Sequence, residues 1–137
     1  MGTQVIAERM KSIGDDHFAA GCYLQARHAY TAGLQRADRR NPREHVIACH
    51  VNRAAAYLKL GAHQDAIEDA TAALELAEHS GAPPSQKRKA LLRRAQAFCD
   101  AGKLEAARLD LETLPAGDAV AQKLLERVRG TESGITV

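Results

Sequence analysis

The sequence predicts an all-α fold of stacked helix pairs, and three observations predict it. Alanine and leucine dominate a chain that is 45% hydrophobic but only 4% aromatic, with four prolines and no tryptophan, a composition that favours helix interiors over strands. A set of markers then repeats: a small residue at Gly14, Ala54 and Ala95; an aromatic at Phe18, Tyr57 and Phe98; a glycine at Gly21, Gly61 and Gly102; an alanine at Ala26, Ala66 and Ala107. The glycine and alanine markers recur at a nearly constant interval, so the repeating unit is a helix pair with a tight turn at glycine. Finally, Ala66, Ile67, Ala70, Ala73, Leu74 and Ala77 fall on one face of a 3.6-residue period.

Taken in order, the first pair is expected over about residues 7–41 and runs into ADRRNPREH, where Pro42 suits a helix start. The second covers about 45–81 and contains RAAAYLKLGAHQDAIEDATAALEL. Its alanines let two helix backbones approach toward the low end of the roughly 8–10 Å interaxial range, with Tyr57 filling the space beside them. In HSGAPPSQK, Gly81, Pro83 and Pro84 stop one helix before the next begins. The third pair covers about 86–115. Because a single pair cannot bury its own face, three must stack, and a last helix at about 117–129, around AVAQKLLERV, covers the open end. Residues 1–130 form one domain, and the polar, glycine-punctuated tail 131–137 is expected to fray.

Several function classes find no support. The stretch from Met1 to Tyr30 lacks the apolar run of a signal peptide and no segment approaches a membrane span, which predicts a cytoplasmic protein without membrane contact. Cys22, Cys49 and Cys99 are odd in number and without CxxC spacing, as expected of reduced, mostly buried thiols. His17, His28, His45, His50, His63 and His79 are scattered without metal-ligand spacing, and no nucleophile motif or phosphate-binding glycine loop is present. We therefore expect no catalytic residue, metal or cofactor. A net charge of +2, and a basic run at residues 87–94 with no aromatics interleaved for stacking, speak against nucleic acid.

A stack of helix pairs has a concave face lined by the first helix of each pair. Lys11 and Asp15 lie four apart on the first helix, Asn52 and Lys59 seven apart on the third, and Lys89 and Arg93 four apart on the fifth, so each pair shares a face. If those faces look into the groove, four cations and an amide converge with one carboxylate among them. Such a cluster wants an anion: lysine supplies point charge, arginine grips two oxygens, and asparagine can clamp a backbone. Phe18 follows Asp15 by three and borders the same face, although core packing is the ordinary role for it, as for Tyr57 and Phe98.

The small–aromatic–glycine–alanine pattern over residues 7–114 resembles the tetratricopeptide repeat (TPR), whose usual period is about 34 residues. The spacing here is longer by six or seven, and the excess is expected to lengthen the second helix of each pair or the turn after it. The resemblance implies three helix-turn-helix repeats plus a C-terminal capping helix, wound into a right-handed superhelix with a concave groove. A sharper resemblance is to the carboxylate-clamp co-chaperones, which bind acidic C-terminal tails of heat-shock chaperones. Their clamp uses a lysine and an asparagine on the first helix, an asparagine on the third, and a lysine and an arginine on the fifth. KSIGD places Lys11, VNRAAAY places Asn52, and KALLRRA places Lys89 and Arg93 at four of these five positions. Lys59 falls where some members carry a further basic contact, and KALLRRAQAFCDAGKLEAARLDLE is similar to the third repeat of the myosin-chaperone branch.

The fifth position departs from that pattern, with Asp15 in place of asparagine. Ionised aspartate only accepts hydrogen bonds and adds a like charge beside an anionic ligand, so it is expected to weaken the clamp. It can instead neutralise part of the groove, or accept from a ligand N–H or a lysine. What the resemblance implies is an adaptor for the Glu-Glu-Val-Asp ends of the seventy- or ninety-kilodalton chaperones, with a client held by another domain or surface. The alternative is a scaffold of the same fold that holds an internal segment of another protein.

Overall fold

The protein is described by a computed structural model that covers residues 2–37 and 44–132. Pro42, read as a helix start, and tail residues 133–137 lie outside the described residues. Among the described residues seven helices follow in order: α1 (Thr3–Ala19), α2 (Tyr23–Arg36), α3 (Glu44–Lys59), α4 (His63–Ser80), α5 (Pro84–Asp100), α6 (Leu104–Glu112) and α7 (Ala119–Glu132). None of these is long and apolar enough to cross a membrane.

The chain reverses at the three repeating glycines. Gly21, Gly61 and Gly102 take φ values of 78°, 76° and 77°, in the left-handed region where a Cβ is penalised. Around them one hydrogen-bond pattern recurs: the amides of Cys22, Ala62 and Lys103 donate to the carbonyls of His17, Tyr57 and Phe98 at 2.8, 2.9 and 2.8 Å. Each turn therefore satisfies carbonyls that a helix end would leave bare, and sends the next helix back along the one before it. Between α4 and α5, Gly81 ends one helix in the left-handed conformation, while Pro83 and Pro84 begin the next. In the second pair the lengthening is taken up by α4, at 18 residues; α6 has nine.

Alanine fills the contacts between these helices. Ala54, Ala66, Ala70, Ala73, Ala77, Ala95 and Ala107 are all fully buried. Gly14 stands where the other pairs have Ala54 and Ala95, and a Cβ built on it would lie 2.5 Å from Cε1 of Tyr30. The missing methyl is thus the room in which the Tyr30 ring sits, 1% exposed. At the far end, Ala121, Leu125 and Val128 of α7 cover Ala95, Cys99, Ala107 and Leu111 of the third pair, so α7 caps the stack as a terminal element must.

Successive pairs are joined by a polar staple that the sequence reading did not identify. Arg53 on α3 donates twice to Asp69 on α4, both at 2.6 Å, and once to the Thr31 hydroxyl on α2 at 3.0 Å. Arg94 on α5 repeats this with Asp110 on α6 at 2.8 and 2.6 Å and with Thr71 on α4 at 3.3 Å. Both guanidiniums lie over the aromatic marker of their pair, Tyr57 at 5.7 Å and Phe98 at 5.8 Å. Arg53 and Arg94, Asp69 and Asp110, and Tyr57 and Phe98 are all separated by the same interval, that of the glycine markers Gly61 and Gly102. In the first pair the positions just before Gly14 and three after Ala26 hold Ile13 and Ala29, which cannot form the staple.

Asp69 is buried and accepts from His50 as well, so its removal strands a largely buried guanidinium. Asp69→Ala should lower the unfolding free energy in urea by about 3 kcal/mol, whereas Glu105→Ala, at the exposed Glu105–Arg108 pair, should change it by less than about 0.5 kcal/mol.

Candidate peptide-binding groove

The first helices of the three pairs, α1, α3 and α5, line a groove. Its larger part encloses about 670 Å³ and is bordered by Glu8 and Lys11 from α1, Val51 and Asn52 from α3, and Gln86 and Lys89 from α5. A smaller pocket of about 190 Å³ is bordered by Asp15, Phe18, Tyr30, Asn52, Ala55 and Arg93. Asn52 lines both, so the two hollows meet at its amide.

Six of the seven residues singled out in the sequence therefore converge: Lys11, Asn52 and Lys89 around the larger hollow, and Asp15, Phe18 and Arg93 with Asn52 around the smaller one. Lys59 does not join them; it is exposed in the last turn of α3 and lines neither. Glu8, His45, Ser85 and Gln86 also border the groove. For three of these the signal was available in helical spacing, since Glu8 precedes Lys11 by three positions, and Ser85 and Gln86 precede Lys89 by four and three. With Glu8 present and Lys59 outside, the groove holds three cations against two carboxylates, a more balanced set than the sequence pairs implied.

Asp15 is the hub of the site. Its Oδ2 accepts from Lys11 Nζ at 2.8 Å, and its Oδ1 accepts from the Tyr30 hydroxyl at 2.6 Å and from Asn52 Nδ2 at 2.9 Å. This aspartate therefore accepts from a lysine, as its chemistry allows, and draws in the Asn52 amide too. Burial, reinforced by the hydrogen bond to Asp15 and its negative charge, pushes ionisation of the Tyr30 phenol far above its ordinary range. Burial, with a lesser contribution from Asp15, likewise pushes the Cys49 thiol up to about 11.

The fifth helix presents a different picture. Neither Lys89 nor Arg93 has a hydrogen-bond or ion-pair partner among the described residues. Arg93 is half-buried, and burial pulls its pKa downward. Arg53 and Arg94, by contrast, are raised by the aspartates they grip. Among the described residues no cluster of histidine, cysteine or acidic side chains could hold a metal ion.

No family model matches the chain. Curated proteins resemble it over most of its length, two of them as follows. Zinc finger CCCH domain-containing protein 7B of Homo sapiens is 32% identical over 141 residues, covering 90% of this chain and 14% of that protein. Protein unc-45 homolog B of Danio rerio is 30% identical over 121 residues, covering 88% of this chain and 12% of that protein. The chain thus spans less than a fifth of the length of either relative. Among solved structures, the second TPR domain of human RPAP3, in complex with the HSP70 peptide SGPTIEEVD, superimposes with a TM-score of 0.77 at 31% identity, over 93% of this chain and 98% of that one. The first TPR of Spaghetti (RPAP3), bound to the HSP90 peptide SRMEEVD, gives 0.77 at 28% identity, over 95% and 98%.

Because the folded state favours the neutral phenol, Tyr30 contributes stability that is fully present below the unfolded-state pKa, about 10, and is lost as pH rises above it. A spectrophotometric titration of the three tyrosines should contain one component that ionises only as the chain unfolds. Tyr30→Phe should remove that component, and its persistence in the variant would place the effect elsewhere.

Proposed function

Because the chain belongs to the tetratricopeptide repeat family, we propose that it is a protein-interaction module that binds the acidic C-terminal tail of heat-shock chaperones of the seventy- or ninety-kilodalton class. The single observation that carries this reading is Arg93, a half-buried guanidinium that lines the groove and makes no ion pair among the described residues. Each of the two staple arginines already holds an aspartate in bidentate fashion. Arg93 is built for the same contact and lacks the carboxylate, which an acidic peptide carries. Lys89, one turn earlier on α5, offers point charge beside it, and Phe18 with Ala55 gives the smaller hollow an apolar wall. The role is one of binding rather than catalysis, as an adaptor in the cytoplasm.

Similar domains carry chaperone peptides that end in Glu-Glu-Val-Asp, and this agrees with the charge the groove would receive. The basic run 87–94 is poorly suited to a polyanion, since Arg88 is paired with Asp118 and Arg94 with Asp110. A second reading, a scaffold that holds an internal segment of another protein, is favoured by the contacts Asp15 already makes with Lys11 and Asn52. A purified chaperone lacking its Glu-Glu-Val-Asp end separates the two: lost binding fits the tail reading, retained binding the scaffold.

Short-peptide affinity should be on the order of micromolar and should fall as salt rises, because the contacts are ionic and open to solvent. In calorimetric titration with SRMEEVD, Arg93→Ala should abolish binding while the thermal unfolding midpoint stays within a few degrees of the parent. Full binding by this variant would remove the mechanism.

A further inference from the structure

We propose that Asp15 supplies the groove with a carboxylate of its own, so that the ligand fills only the half of the site formed by Lys89 and Arg93 and needs no free C-terminal carboxylate. This deepens the acidic-tail reading above and rests on it.

The inference comes from how the donors are divided. Lys11, Asn52 and Tyr30, three donors from three helices, all point at one side chain, and that side chain is an anion. An incoming carboxylate on this side would have to share Lys11 and Asn52 with the Asp15 carboxylate they already hold. It would also lie beside the like charge of the part-exposed Asp15 side chain. Across the same two hollows, on α5, Lys89 faces Lys11 and Arg93 shares the smaller hollow with Asp15, yet neither has a hydrogen-bond or ion-pair partner among the described residues, so a carboxylate arriving on α5 displaces no protein group. The groove therefore receives one carboxylate, and an acidic side chain within a tail or a loop supplies it as well as a chain terminus does. Asp15 is thus a specificity-determining residue: it removes the requirement for a terminus while leaving the requirement for negative charge.

Asp15→Asn opens the filled half. The replacing amide can still accept from Tyr30, but Lys11 loses its counter-ion and Asn52 loses a charged acceptor, so both become available to a ligand carboxylate. The test is calorimetric titration of the parent and of D15N with SRMEEVD as the free acid and as the C-terminal amide. The parent should bind the two within about twofold, and D15N should prefer the free acid by about tenfold or more, the order of one charge-assisted contact. A parent that binds the free acid and loses the amide overturns this inference and leaves the tail reading standing. If the parent binds neither, a gain of free-acid binding by D15N upholds the filled half and sinks the tail reading, and no gain sinks both. A second measurement does not depend on the variant folding: the scalar coupling across the hydrogen bond from the Asn52 side-chain amide to the Asp15 carboxylate should persist in the parent as peptide saturates Arg93. Its loss would show that Asp15 had been evicted, against the proposal.

Discussion

Two helices can come no closer than the side chains between them permit, and in this protein those side chains are mostly single methyl groups. The fully buried alanines at 54, 66, 70, 95 and 107 set that distance, and much of the rest follows from it. A backbone brought so near must reverse sharply, which the left-handed glycines at 21, 61 and 102 allow. Contacts this small also bury little apolar area each, so the stack draws on what lies beside them: Tyr30 in the space that Gly14 leaves, half-buried Tyr57 and Phe98, and the cap of α7 over the last pair.

The same economy of apolar volume explains why charged groups hold the pairs together. Arg53 and Arg94 each reach a largely buried aspartate within their own pair and a threonine of the pair before, with an aromatic face underneath. Each guanidinium places three of its N–H donors on protein acceptors, two of them on the aspartate, which offsets the cost of taking both charges out of water. The first pair, with Ile13 and Ala29 at these positions, has no such staple. There Asp15 takes a comparable role, tying α1 to α2 through Tyr30 and to α3 through Asn52. Site and scaffold share an atom at this point, and the residue that departs from the clamp pattern is also the residue that holds the first pair to the second.

How much of the site was legible depends on the range of the interaction. Spacings of three, four and seven place side chains on one face, and that sufficed to bring Lys11, Asn52, Lys89 and Arg93 to the groove. The same rule applied to Glu8, Ser85 and Gln86 would have found them too. Lys59 shows its limit, since sharing a face with Asn52 two turns earlier did not carry a residue at the end of α3 into the groove. The staples were legible in principle, because arginine, aspartate and aromatic keep one common offset between the second and third pairs. A charged pair 16 residues apart, however, has no local periodicity to reveal it.

The sequence by itself determined the helices, their pairing and the repeat, because helical propensity, a turn glycine and a 3.6-residue apolar face act over a few residues and are written locally. Which cations remain free was decided only by the tertiary structure. Lys11, Arg53, Arg88, Arg94 and Arg93 look alike as a list of basic residues, yet among the described residues four of them meet carboxylates and the fifth does not. The reason is that ionic pairing depends on distance in space. Asp15 meets Asn52 across 37 residues of chain and Arg88 meets Asp118 across 30, separations that close only when the helix pairs stack.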